Sequence, residues 1–318
     1  MADSTGRSEV NPNSSLALFQ GWLRLRPVTV LEAIQRSTEF LSRKGVESPR
    51  LQAELLLAHV LRLPRMRLYL SFERALTPPE QDLYRDWVRR RGRREPLQHI
   101  VGSTCFCGLE LAVNRNVLIP RPETELLAEA GWEILNRRAA PASGTWRVLD
   151  WGTGSGCLAI AVAVHCPHAE ITAVDASSAA LEVAAGNVAR HGLSNRVRLK
   201  LSDGFSGLDP EERFDLILSN PPYIPTAEIA TLDPEVREFD PRCALDGGAD
   251  GLDYYRRFAR EAGGHLQAGG QVLLEFGDGQ AEAVRQLFEE QKWIVEAVRE
   301  DYTHRPRILI ASQTKANG

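Results

Sequence analysis

Long apolar runs are missing from this 318-residue sequence. No run reaches the roughly 18–20 residues that a membrane-spanning helix needs, so no membrane partner is expected. Excess charge is missing too. Against 42 acidic residues stand 38 basic ones, and a formal net charge of −4 gives no global pull toward nucleic acid. Lysine is scarce, occurring only at 44, 200, 292 and 315, and the dominance of arginine reads as codon usage. Five cysteines stand at 105, 107, 157, 166 and 243. The Cys105-Phe106-Cys107 pair lacks the second half of a zinc site, so buried, reduced thiols and no metal are expected. The opening MADSTGRSEVNPNSS has no apolar core for a secretory signal, and Asp3 and Glu9 argue against an import presequence. Residues 1–26 are expected as a disordered tail, and the cytoplasm as the compartment.

What is present reads as two regions. From 27 to 96 the pattern is helical. TVLEAIQRSTEFLSRKG places Val30, Leu31, Ile34, Phe40 and Leu41 near a helical period and closes on Gly45. Ser48-Pro49 reads as an N-cap followed by proline at the first helical position, and a third helix is expected from Pro78-Pro79 to Arg94. Residues 97–121 switch to short β-like runs broken by Gly102, Gly108 and Asn114, consistent with a hairpin linker. From 122 to 318 a helix ending near Arg138 is followed by alternation: RVLDWG, a helix from Ser155, EITAVD, a helix from Ser177, RVRLKLSD, FDLILSNPPY, QVLLEF, a helix from about Gln280, and strands near 293–299 and 306–312. That alternation predicts an α/β fold, Rossmann-like, with a mostly parallel, doubly wound sheet.

In such sheets ligands bind at the carboxyl ends of the strands. The first strand of the alternation ends in Asp150-Trp151-Gly152-Thr153-Gly154-Ser155-Gly156, where glycines let the backbone pass close to a ligand at a helix N-terminus. The G-x-G-x-G spacing differs from the dinucleotide G-x-G-x-x-G, and no phosphate-cradling G-x-x-x-x-G-K-[ST] occurs. Asp175, ending the next strand, is placed to accept both ribose hydroxyls of an adenosine; capping the following helix is its plainer role, for which Ser177 is equally placed. Asp203 is placed to meet an adenine amino group, with Gly204 and Phe205 beside it. The set fits S-adenosylmethionine better than NAD, with Asp150 toward the methionine ammonium.

SNPPYIP, residues 219–225, ends a buried strand with an asparagine, two prolines and a tyrosine. Asn220 precedes a proline and is pushed toward extended backbone, while Pro221 and Pro222 fix φ and donate nothing. The result is a rigid cluster of acceptors beside an aromatic ring, suited to gripping an NH2 group.

Asp-x-Gly-x-Gly-x-Gly together with Asn-Pro-Pro-Tyr resembles the class I amino methyltransferases. LIPRPETE at 118–125, LEFGDGQ at 274–280, the loop EVREFDPRCALDGGADGLDYY at 235–255 and the helical N-terminal region narrow the resemblance to the release-factor glutamine methyltransferase family, over about residues 28 to 312. The resemblance implies methyl transfer from S-adenosylmethionine, yielding S-adenosylhomocysteine, to the glutamine amide of the Gly-Gly-Gln loop of peptide chain release factors. It makes Asn220, Pro221 and Tyr223 the catalytic residues. Phe106, Asn220, Pro221, Pro222 and Tyr223 become the substrate-binding set, and the helical region a docking domain. Arg121 is expected to be structural, tied to a buried partner; Glu123 and Glu125 tie the linker down or face the substrate, and Glu275 fits either role. Gly204 departs from the bulky residue common in the family at the adenine, a contact then expected from Phe205. His99 stands where an aromatic is common. An adenine-N6 nucleic-acid methyltransferase is the alternative, supported by the shared NPPY and by the arginine run at 85–94; nucleic acid is disfavoured as substrate. Gly269-Gly270-Gln271 spells the target tripeptide but is expected to be a turn before a strand.

Overall fold

The computed structural model describes residues 28–139 and 144–313. The expected tail, residues 1–26, lies outside the described residues. The chain divides into two compact units at Arg93/Arg94.

The first unit packs α1 (Val30–Arg43), α2 (Pro49–Leu61) and α3 (Pro78–Gly92), with a short helical turn at Arg65–Leu68. α1 opens on a capping box: Thr29 accepts from the Glu32 N–H and Glu32 accepts from the Thr29 N–H, so two orphan donors are satisfied at once. α2 begins at Pro49 as expected. Ser48, however, is left-handed at φ 46° and makes no capping bond. Its side chain therefore does not perform the role that its place before Pro49 suggested. The core of this unit includes Val30, Ile34, Leu41, Leu56, Leu57 and Tyr84, whose hydroxyl donates to the Ala53 carbonyl.

The second unit opens with a short helix, Leu97–Val101, where β-like structure was expected, and then a hairpin of β1 (Ser103–Phe106) and β2 (Leu109–Ala112). Its two-residue turn, Cys107-Gly108, has φ of 49° and 75°, the left-handed pair that matches the twist of a tight hairpin. There follow α4 (Pro122–Arg137), β3 (Trp146–Trp151), α5 (Cys157–His165), β4 (Ala169–Asp175), α6 (Ser178–Arg190), β5 (Val197–Leu201) and β6 (Phe214–Ser219). After a one-turn helix at Pro234–Arg237 come α7 (Asp253–Glu261), β7 (Leu266–Glu275), α8 (Ala281–Glu290), β8 (Trp293–Glu300) and β9 (Pro306–Gln313). The sheet order is β5-β4-β3-β6-β7-β9-β8, parallel from β5 to β7 and antiparallel through β9 and β8.

Strand residues alternate strictly between two cores. Val148, Leu216, Leu218, Leu273 and Ile310 pack with α4 and α5, while Leu149, Ile217, Val272, Leu274 and Leu309 pack with α7 and α8. Both faces are covered, which is why these strands read as continuous apolar runs. Gly131 lets α4 lie close on β6: a Cβ there would sit 3.2 Å from both Leu218 methyl groups. Gly269 and Gly270 lie inside β7 rather than before it; the register of β6 against β7 shifts next to them, between Phe214 and Leu216. Among the described residues no helix is long and apolar enough to cross a membrane.

Candidate active site

The carboxyl ends of β3, β4 and β6 open into a cavity of about 290 Å³, near the low end of the roughly 300–1,000 Å³ common for small-molecule sites. Around it stand Gly152, Thr153, Gly154 and Ser155, then Asp175, Asp203 and Gly204, and then Asn220, Pro221 and Pro222. The three sequence segments singled out above thus meet at one place.

The glycine loop is held from below by Asp150. This carboxyl is fully buried; its Oδ2 accepts from the Thr153 hydroxyl at 2.6 Å and from the Ala159 N–H at 3.1 Å, while among the described residues Oδ1 has no partner. Burial pushes its pKa up to about 7 against the pull of those two bonds. It stands behind the loop rather than on the cavity wall. The N–H groups of Gly152 and Thr153 both donate to the Val174 carbonyl at 2.9 Å, and Gly152, Gly154 and Gly156 take φ of 81°, 54° and 83°. A Cβ at Gly156 would press on Ile160 at 3.2 Å and on Ala184 at 3.4 Å, so glycine there lets α6 approach the loop.

Asp175 grips the loop as well as facing the cavity. Its Oδ2 accepts from the Gly154 N–H at 2.8 Å and its Oδ1 from the Ser177 N–H at 2.9 Å, while the Ser177 hydroxyl caps α6 through Ala180. Asn187, fully buried on α6, is a residue that the sequence reading missed. It donates to the Ser155 and Ala112 carbonyls and accepts from the Ala112 N–H at 2.7 Å, tying the hairpin to the glycine loop. Only an asparagine in the middle of a helix, where it is a poor helix former, hinted at this.

Asp203 is 74% exposed and is shared with Arg257, whose guanidinium donates to its Oδ1 at 2.6 Å and to its carbonyl at 2.7 Å. A Cβ on Gly204 would lie 2.8 Å from that guanidinium, so the space left open by glycine is taken by Arg257. Phe205 does not face the cavity. It is buried, stacked on Trp151 at 5.7 Å and His265 at 5.3 Å, and the aromatic residues lining the cavity, among those described, are Trp151 and Tyr254. Phe106 is likewise in the core, packed with Leu111 and Leu127, rather than on the cavity wall.

At the end of β6, the Ser219 hydroxyl donates to the Trp151 carbonyl at 2.6 Å, locking β6 to β3. Asn220 donates from Nδ2 to the Thr124 hydroxyl at 2.9 Å. Among the described residues neither its Oδ1 nor the Pro221 carbonyl accepts a hydrogen bond, leaving two acceptors on consecutive residues that line the cavity. The loop after the strand is clamped. The Tyr223 carbonyl accepts from Gln280 at 2.9 Å, and Ile224 pairs with the 245–247 segment. The Tyr223 side chain packs against the α7 and α8 core, and burial pushes its hydroxyl up to about 12. Arg121 donates to the buried Asp240 at 2.6 Å, and Glu125 accepts the Cys107 N–H at 2.8 Å, fastening the hairpin turn to α4.

Two family descriptions match the chain: "PrmC N-terminal domain" over residues 32–102 and "Methyltransferase small domain" over residues 130–232. With the sheet order, the glycine loop and the acid ending the neighbouring strand, they define an α/β enzyme of the class I, Rossmann-like methyltransferase type. A release factor glutamine methyltransferase of Geobacter sulfurreducens is 47% identical over 262 residues, covering 82% of this chain and 88% of its own. One of Rhodopirellula baltica is 44% identical over 250 residues, covering 78% and 84%. The chain belongs to the release factor glutamine methyltransferase family. In fold alone, the catalytic domain of hMettl16 in complex with a MAT2A 3'UTR hairpin is similar at 14% identity and TM-score 0.50, over 76% of this chain and 84% of that one.

Proposed function

We propose that this protein transfers a methyl group from S-adenosylmethionine to the side-chain amide nitrogen of the glutamine in the Gly-Gly-Gln loop of peptide chain release factors. One observation carries the reading: Asn220 Oδ1 and the Pro221 carbonyl are free, rigidly held acceptors at the cavity.

The residues of the cavity fit the donor. Asp175 keeps a lone-pair direction on each oxygen for two ribose hydroxyls, beyond the loop N–H that each already holds. Asp150 serves the methionine end indirectly, holding Thr153 and the first turn of α5 in place behind the glycine loop. Asp203 Oδ2 and Tyr254 supply the adenine end, with Arg257 occupying the space at Gly204. When bound, S-adenosylmethionine supplies a methyl group made electrophilic by its sulfonium.

An amide nitrogen is a weak nucleophile because its lone pair is delocalised. Asn220 Oδ1 and the Pro221 carbonyl each take one N–H of the substrate amide, which aims the nitrogen and holds it within attack distance. As the N–C bond forms and the S–C bond breaks, positive charge grows on the nitrogen, and the two carbonyl dipoles stabilise it without reorganising. One N–H proton then leaves to water. A glutamate offers these acceptors no hydrogen, and a site built for a donor rejects an analogue lacking it by about 10⁴-fold. The Pro-Pro pair and the Gln280 clamp on Tyr223 keep the acceptors in place. Docking of the release factor is assigned to the helical unit, where Leu51, Met66, Tyr69 and Leu70 are exposed. With such a substrate the enzyme works in the cytoplasm.

Substituting Asn220→Ala tests the reading. Methyl transfer to a release factor is expected to fall at least about 10²-fold, while S-adenosylhomocysteine binds within twofold of wild type by calorimetry. Transfer at the wild-type rate would remove Asn220 from the reaction.

A further inference from the structure

Asn220 has an amide whose two ends look alike in shape and differ in chemistry. With Oδ1 toward the acceptor it grips an NH2 group; flipped, it would present a donor and repel one. Thr124, 2% exposed on the first turn of α4, receives the Asn220 Nδ2–H on its hydroxyl oxygen at 2.9 Å. A hydroxyl that accepts there still has its own proton to give. The Glu275 carboxyl, 2% exposed, ends β7 just after Leu274, which pairs with Ser219 of β6, so it stands beside Asn220; the Thr124 hydroxyl favours its ionised form, and among the described residues Glu275 Oε2 has no partner. An ionised carboxylate can only accept. When Glu275 is ionised and takes the Thr124 proton, the Thr124 lone pair is left for Asn220, and only the Nδ2 end of the amide can meet it.

We propose that Thr124 and Glu275 are positioning residues that fix the Asn220 amide with Nδ2 turned into the protein and Oδ1 turned to the methyl acceptor. This rests on the function proposed above. The polarity of the relay depends on the charge of Glu275. A protonated Glu275 can donate to Thr124, whose hydroxyl then donates onward, and the amide is free to turn its oxygen inward. Burial raises the Glu275 pKa to about 7; Thr124 opposes this, Glu123 adds to it, and Arg307 and Arg121 oppose it. Tyr223 and Tyr255 also face Glu275, and both stay neutral, their hydroxyls pushed up by burial. Glu123 belongs to α4, Arg307 to β9 and Tyr255 to α7, so charged or polar groups reach Glu275 from several elements packed around it. Ionised Glu275 is the aligned state, so activity falls as pH drops through about 7, by about tenfold between one unit above and one unit below.

The test compares Thr124→Val, Thr124→Ser and Glu275→Gln in the full chain. With a release factor as acceptor, Thr124→Val is expected to lower kcat about 10²-fold, the cost of a misplaced reacting group. Its Kd for S-adenosylhomocysteine stays within twofold, and Thr124→Ser, which keeps the hydroxyl, recovers activity to within about threefold of wild type. Glu275→Gln is expected to abolish the acid limb of the kcat profile. A folded Thr124→Val with kcat within threefold of wild type, or an acid limb unchanged in Glu275→Gln, overturns the proposal. A second readout needs no substrate. In protein labelled with ¹⁵N-asparagine, the Asn220 side-chain NH2 resonances, assigned by their loss in Asn220→Ala, are expected to titrate near pH 7 in wild type and not in Glu275→Gln. Titration unchanged in Glu275→Gln overturns the relay whatever the acceptor. Wild type that titrates but leaves release factors unmethylated instead defeats the functional reading and leaves the relay standing.

Discussion

Replacing Asp175 with alanine probes the donor end of the cavity. The two carboxylate oxygens hold two different parts of the wall, the Gly154 N–H at 2.8 Å and the Ser177 N–H at 2.9 Å. Hydrogen bonds to a charged acceptor contribute about 1.5–3 kcal/mol each. If each oxygen also takes one ribose hydroxyl, even the low end of that range amounts to about 3 kcal/mol of donor affinity, or about 10²-fold in Kd. Loosening of Gly154 adds to this, because the loop loses its own anchor. Asparagine makes a sharper comparison than alanine. Its single oxygen can accept from Gly154 or from Ser177, and at the other it sets an NH2 group against an N–H, donor facing donor. Asp175→Asn is therefore expected to bind S-adenosylhomocysteine little better than Asp175→Ala. Calorimetry at pH 7.5, with circular dichroism to check the fold, measures both. A folded alanine variant with Kd within threefold of wild type would refute a ribose-binding role, and an asparagine variant at wild-type affinity would refute the donor-clash reasoning.

Two further outcomes follow from the packing and the buried charge. Gly131→Leu forces a side chain between α4 and β6, where even a Cβ would meet Leu218 at 3.2 Å; it is expected to cost about 1–3 kcal/mol in urea unfolding, whereas Gly131→Ala, which gains helix propensity against a slight clash, is expected to stay within about 1 kcal/mol. Asp150 has a folded pKa of about 7, above its unfolded value of about 3.9. Its neutral form is therefore favoured by folding, and the stability it contributes, present below the unfolded value, is lost as pH rises through about 7. Ligand-free protein is expected to lose about 2–3 kcal/mol from this group between pH 5 and 8. Glu275, also raised to about 7, acts in the same direction. Thermal melting at both pH values, with Asp150→Asn showing a shallower loss, checks the sign; a stability that rises over that window would contradict it.

The parallel strands were legible because burial on both faces demands continuous apolar runs, and RVLDW, EITAVD and FDLILS have them. The glycine loop, Asp175 and SNPP were legible because each is a backbone constraint written in one or two residue types. α7 was not. Its buried residues Tyr255, Phe258 and Ala259 sit among the charges of DYYRRFARE and follow a glycine-rich loop, so the segment read as loop. Which aromatics line the cavity depends on side-chain direction after Asp203: the chain turns Phe205 into the core and brings Tyr254 from α7 to join Trp151. Arg257 fills the space at Gly204 from 53 positions away, a contact no local pattern contains. Thr124 sat inside the quoted PRPETE motif, yet its hydroxyl gains meaning only when α4 is laid against the end of β6, which Gly131 permits.

The most direct measurement is the site of methylation. Purified protein is incubated with S-adenosylmethionine carrying a labelled methyl group and with a release factor, and the label is mapped by peptide mass spectrometry. The expected result is one methyl group on the glutamine of the Gly-Gly-Gln loop, absent when that glutamine is alanine and absent with Asn220→Ala. Label carried by DNA or RNA, with the release factor unmodified, would mean that the Asn220–Pro221 acceptors grip an adenine amino group, and would contradict the proposed substrate.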